Sequence, residues 1–219
     1  MFKTDTAAQP APSATALTRR SLFTLAGASA ALAVTPAAAS SFGTGFTHNV
    51  ASGEPSATSV LLWTRYVAEA ETALTWQVSA TEDFAKPMAE GSVAASPARD
   101  WCAKGVVTGL SPDRWYFFRF LAPDGAASPV GRTRTLPEGP SATFRLAVFS
   151  CSNFGFGWFN AYGHAAEAND ADLAVHLGDY IYEYGLAGYG GDVATRLGRI
   201  PSPEVECIRL GDYRARPAQ

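Results

Sequence analysis

The chain of 219 residues is poor in the residues that mark the simplest function classes. Only 17% of its side chains are charged, and the formal net charge is −3. It therefore lacks the basic excess with which a nucleic-acid binder displaces counterions from phosphates, and specific nucleic-acid recognition is set aside as a main role. No apolar run reaches the ~20 residues needed to span a bilayer, so no transmembrane segment is expected. Histidine occurs three times and cysteine three times, at Cys102, Cys151 and Cys207. An odd cysteine count means that one is left over or that one does chemistry. What remains, with 47% hydrophobic residues, is the composition of an ordinary soluble globular protein, neither disordered nor collagen-like.

Residues 1–40 differ from the rest. A polar Pro/Ser/Thr/Ala-rich stretch leads to Thr18-Arg19-Arg20-Ser21-Leu22-Phe23, then an apolar, alanine-rich run to Val34, then Pro36-Ala37-Ala38-Ala39-Ser40. This is the three-part pattern of a signal peptide, with cleavage expected after Ala39. The paired arginines look like the twin-arginine signal, which engages the machinery that exports folded proteins. A general secretory signal with two arginines in its basic region is the other reading. Either way the mature chain is expected outside the cytoplasm, in the periplasm, cell wall or medium.

Residues 41–137 read as a β-sandwich of the immunoglobulin or fibronectin type III kind. Short apolar-polar alternations at Ser59–Tyr66, Ala73–Ala80, Gly105–Thr108, Trp115–Leu121 and Val130–Leu136 are separated by Gly, Pro and Asp turns. Leu110-x-Pro112-x-x-x-Tyr116 has the spacing of a tyrosine corner, in which the Tyr116 hydroxyl returns to the upstream backbone. Trp63 is expected in the core. Trp63, Trp76, Trp101 and Trp115 are read as packing residues, with a sugar-stacking face as the alternative.

Glu138–Ala142 is a hinge, and the pattern changes over 143–219. Phe144–Phe149 reads as an apolar strand of the sort buried on both faces of a parallel sheet, followed by a helix over Phe159–Ala168 and a second strand over Leu173–Leu177. Strand, helix, strand is a βαβ crossover, and open α/β sheets bind ligands beyond the carboxyl ends of their strands. Cys151 and Asp179 stand at two such ends.

A thiolate at Cys151, a carboxylate at Asp179 that can bridge two ions, and a phenol at Tyr182 are anionic donors suited to a hard or borderline cation such as ferric iron. Gly178 would let the backbone turn sharply before Asp179. Two ions there would hold a phosphoryl group and acidify a water for in-line attack, so hydrolysis of a phosphate ester is the natural reaction, with Asp179 as the catalytic carboxylate. Plainer readings stand beside this one. Cys151 alone is a packed small hydrophobe, Gly-Asp a simple turn, Tyr180, Tyr182, Tyr184 and Tyr189 an aromatic cover for the core, and His176 a hydrogen-bonded core residue.

Phe46–Pro55, Ser59–Arg65, Ser128–Leu136, Ser150-Cys151, His176–Gly185 and Asp212-Tyr213-Arg214, in that order, resemble the alkaline phosphatase D (PhoD-like) family of the metallophosphoesterase superfamily. The resemblance implies an immunoglobulin-like domain, a metallophosphoesterase domain, twin-arginine export, and an iron–calcium centre acting on phosphate monoesters or phosphodiesters. It implies Cys151 and Tyr182 as ferric ligands and Asp179 as the bridge to calcium, leaving Cys102 and Cys207 free or paired. Glu54 stands where the family has Asp. The family also continues well past the point matching Gln219, with Asn/Asp-His clusters that complete the two-metal site. The expectation is therefore one complete domain and the first βαβ unit of another, in a monomer. The alternatives are an inactive truncated product or a β-sandwich binding module without catalysis; a copper or iron redox protein is disfavoured because no second cluster with histidine appears.

Overall fold

The computed structural model describes residues 44–219, which lie within one compact unit, Ala39–Gln219. The signal-peptide expectation for residues 1–40 falls outside the described residues. Among those described, no helix is long and apolar enough to cross a membrane.

Two antiparallel four-stranded sheets account for most of the first part. In one, β3 (Ser59–Val67) pairs with β1 (Gly45–Phe46), β2 (Ala51–Gly53) and β6 (Cys102–Thr108). In the other the order is β5 (Ala89–Ala95), β4 (Thr72–Ser79), β7 (Trp115–Leu121), β8 (Gly131–Arg134). Alternation sends Val60, Leu62 and Tyr66 of β3, Leu74 and Val78 of β4, Val107 of β6 and Tyr116, Phe118 and Phe120 of β7 into one shared core. Tyr116 is fully buried, and its hydroxyl accepts the Ser111 backbone N–H at 2.9 Å, which is the corner its spacing anticipates.

The tryptophans depart from the expected core role. None of the four is among the buried residues; Trp76 alone packs against the shared core from a half-buried position. Trp63 falls on the opposite face of β3 from Leu62 and meets His48 edge-on at 6.4 Å. Trp115 lies under the guanidinium of Arg132 at 4.0 Å. For Trp63 and Trp115 the alternation explains this: Leu62 and Tyr116 take the inward positions, so their neighbours point outward, whereas Trp76 shares the inward face with Leu74 and Val78.

After Leu136 the chain crosses to β9 (Leu146–Phe149), then α1 (Asn160–Ala168), then β10 (Leu173–His176), with β9 and β10 paired in parallel in register Leu146↔Leu173. The expectation that this strand is buried on both faces fails, since Leu146 and Val148 are half exposed. Among the described residues this sheet has two strands. Two short helices follow, α2 (Gly191–Leu197) and α3 (Leu210–Ala215). The tyrosines do not cover a core either: Tyr180, Tyr184 and Tyr189 are exposed.

Ion pairs tie the two parts together. Arg134 of β8 bonds Asp172, just before β10, and Asp113 on its other side. Asp100 takes Arg65 of β3 at 3.4 Å and Arg214 of α3 at 2.9 Å, while Arg65 also donates to Thr47 Oγ1 at 2.9 Å. Thr47, Arg65 and Arg214, scattered over three sequence motifs, thus form one polar chain.

Candidate metal centre at the strand ends

Both strands of the parallel pair run out into left-handed backbone. Cys151, two residues beyond β9, has φ 65°, and Gly178 and Asp179, beyond β10, have φ 118° and 50°. A non-glycine residue is rarely held there, and such residues cluster at functional sites. Gly178 adopts its value without a Cβ penalty, as the sequence anticipates. The two loops are stitched by backbone bonds, Cys151 N–H to Gly178 O at 3.1 Å and Ser152 N–H to Asp179 O at 2.8 Å. The turn after one strand therefore fixes the turn after the other.

This stitching brings the three predicted residues together. The Cys151 thiol approaches Asp179 Oδ2 at 3.5 Å, and the Tyr182 hydroxyl donates to the same oxygen at 3.0 Å. Thiol, carboxylate and phenol are all exposed or half-buried, facing one small volume. The neighbouring Cys151 sulfur, and then the Asp179 carboxylate, push the Tyr182 phenol well above its ordinary range. A thiol, a carboxylate and a phenol facing one volume are donors that a cation would hold in anionic form, so the donor set fits a hard or borderline metal ion. Among the described residues no group of three or more His, Cys, Asp and Glu side chains is placed to hold an ion; the third donor here is the phenol.

Sequence reasoning missed the support beneath these loops. Ser152 Oγ and the Tyr162 hydroxyl of α1 each lie 2.9 Å from His176 Nε2, and they bond each other. His176 Nδ1 accepts the Gly178 N–H at 3.2 Å, which assigns the ring proton to Nε2. The hydrogen-bonded reading of His176 is therefore the one its contacts follow, and the residue braces the turn that carries Asp179. Its apolar neighbours in the strand hide that role. All three cysteines are free, which answers the open question of a Cys102–Cys207 pair. Cys207 is buried, and burial pushes its thiol up.

A cavity of about 290 Å³ opens beside the centre, lined by Ser152, Phe159, Tyr162, Tyr182, Tyr189 and Arg216 among others.

Residues 30–137 match the N-terminal domain of PhoD-like phosphatases, and residues 146–219 match the PhoD-like phosphatase family. The chain belongs to the PhoD-like phosphatase family. It is 37% identical over 188 residues to alkaline phosphatase D of Bacillus subtilis (strain 168), covering 80% of this chain and 31% of that protein. A solved structure of PhoD aligns at 36% identity with a TM-score of 0.68, covering 80% of this chain and 35% of that one. The chain thus spans about a third of the length of these relatives. The PhoD-like membership applies to both the sheet-rich part and the strand-end loops, because the matched segments 30–137 and 146–219 contain one each.

Proposed function

We propose that this chain supplies part of the catalytic centre of an exported, metal-dependent phosphoric ester hydrolase, with an immunoglobulin-like sandwich over 41–137 and the first unit of a metallophosphoesterase domain over 143–219. The observation that carries the reading is the convergence of Cys151 and Tyr182 on one oxygen of Asp179, at the carboxyl ends of two parallel strands. Family membership supports phosphate monoesters or diesters as substrates.

In this proposal Cys151, Asp179 and Tyr182 would hold ferric iron, and Asp179 would also serve calcium. When bound, the ions offset charge on the phosphoryl oxygens and acidify the attacking water. The chain's own contribution is positional. Gly178 turns Asp179 into the cleft, the bonds between the two loops fix its distance from Cys151, and the Ser152–His176–Tyr162 cluster holds both loops from below. The signal in residues 1–40 supports delivery outside the cytoplasm.

Ferric iron titrated into the purified chain tests the ligand reading. A visible tyrosinate band should appear, vanish in Tyr182→Phe and weaken or shift in Cys151→Ser. A band unchanged in Tyr182→Phe, or none in the parent chain, refutes it. Hydrolysis of a chromogenic phosphate monoester and diester with iron and calcium present tests activity; no turnover sinks the claim that this chain acts alone.

A further inference from the structure

Arg216 is the most deeply buried charge in the second part, with 5% of its surface exposed, and it has no carboxylate partner among the described residues. A buried guanidinium without a counter-charge is costly unless every N–H is satisfied. Here every N–H of the guanidinium is satisfied. Nε donates to Ser202 O at 3.2 Å, Nη1 to Tyr184 O at 3.0 Å and to Tyr182 O, and Nη2 to Pro203 O at 2.8 Å and Val205 O at 3.3 Å. Five donors meet five backbone carbonyls, which leaves none for a ligand although the side chain lines the cavity.

The carbonyls come from two segments. Tyr182 and Tyr184 belong to the loop leaving the candidate centre, and Ser202, Pro203 and Val205 to the segment beside it. The two are also joined by Leu186 N–H to Glu204 O at 2.6 Å and Cys207 N–H to Glu183 O at 2.9 Å. Among the described residues no other hydrogen bond reaches the Tyr182 carbonyl. We propose that Arg216 is the positioning residue for Tyr182: by gathering the carbonyls on both sides of Glu183 it fixes the backbone from which the phenol reaches Asp179. The role of the phenol rests on the metal-centre reading above; the clasp itself does not. Lysine cannot replace arginine here, because three donors on a flexible stem cannot meet five carbonyls in a plane.

The test uses the full chain labelled with 13C at tyrosine Cζ, with the Tyr182 resonance assigned by its loss in Tyr182→Phe. In both Arg216→Lys and Arg216→Met this resonance should move toward the position of free tyrosine and lose its single environment, while that of Tyr116, held by Ser111 in the sandwich, stays in place. Tyr182 unmoved in Arg216→Met, with Tyr116 also unmoved, overturns the proposal. If Arg216→Met disturbs Tyr116 as well, the parent chain decides. Its Arg216 guanidinium protons should exchange with solvent about tenfold or more slowly than those of free arginine, and exchange at the free rate overturns the clasp. Ferric iron added in a separate arm should broaden Tyr182 in the parent chain; absence of broadening sinks the ligand reading and leaves the Arg216 result standing.

Discussion

Asp172 is the joint between the sandwich and the parallel strand pair, and its removal has a calculable consequence. One carboxylate oxygen takes Arg134 and the other accepts the Arg145 N–H at 2.8 Å, with the Asp172 side chain only 9% exposed and Arg134 21%. Removing one partner of a well-buried pair costs roughly 3–5 kcal/mol, chiefly by stranding the other charge. Arg134 keeps Asp113, which is half exposed and screened, so the loss falls at the lower end. Its Nε, already buried without a partner, gains none. Asp172→Ala should therefore destabilise the chain by about 3 kcal/mol in urea unfolding. A double-mutant cycle with Arg134→Met, which keeps some of the packing over Trp115, should return a coupling of about 1–2 kcal/mol.

The pH dependence follows with a definite sign. The Arg145 N–H, and then the Arg134 guanidinium, hold the Asp172 carboxyl below its ordinary value of 3.8. A depressed folded-state value contributes stability that is fully present above the unfolded value and is lost as pH falls through the folded one. The parent chain should lose this contribution below about pH 4, and Asp172→Ala should flatten that limb. A variant within about 0.5 kcal/mol of the parent, or an unchanged acid limb, would refute the argument.

Two further outcomes are expected. Tyr116→Phe keeps the ring but removes the acceptor of the Ser111 N–H in a part-buried bond, and should cost about 1 kcal/mol in the same unfolding measurement; a neutral result would show that solvent satisfies Ser111. A Cβ at Gly191 would sit 1.6 Å from the Leu186 carbonyl oxygen, so Gly191→Ala must displace the start of α2. Amide exchange should speed up in 186–197 while the sandwich amides keep their rates, and uniform protection throughout would contradict that contact.

The strands most legible in the sequence were those with strict alternation and large side chains. Trp115–Leu121 is observed with the anticipated bounds, and Ser59–Tyr66 extends by one residue. The strand Ala89–Ala95 was missed because AEGSVAA has small residues and glycine where a pattern needs bulk. Cys102–Thr108 starts before the anticipated Gly105, since pairing with β3 recruits Cys102, Ala103 and Lys104 regardless of their propensity. At the centre, Cys151, Asp179 and Tyr182 were legible because their residue types and their places after two strands have a chemical meaning. Ser152, Tyr162 and Arg216 were not, and His176 was legible as a hydrogen-bonded residue but not by its partners, because hydroxyls, a strand histidine and an arginine near a helix end are commonplace until their partners are known.

The sequence by itself determined the scarcity of positive charge, the order of the motifs, the inward faces of the long strands and the three donor types. Those properties are local, set by composition and by a two-residue period. Only the tertiary structure decided that Cys151 and Tyr182 meet on one oxygen of Asp179, that Trp63 and Trp115 stand outside the core, and that a lone arginine closes five carbonyls behind the site. Each depends on segments distant in sequence being brought side by side, and parallel pairing of Leu146–Phe149 with Leu173–His176 is the contact that sets the distance between the turns that carry Cys151 and Asp179.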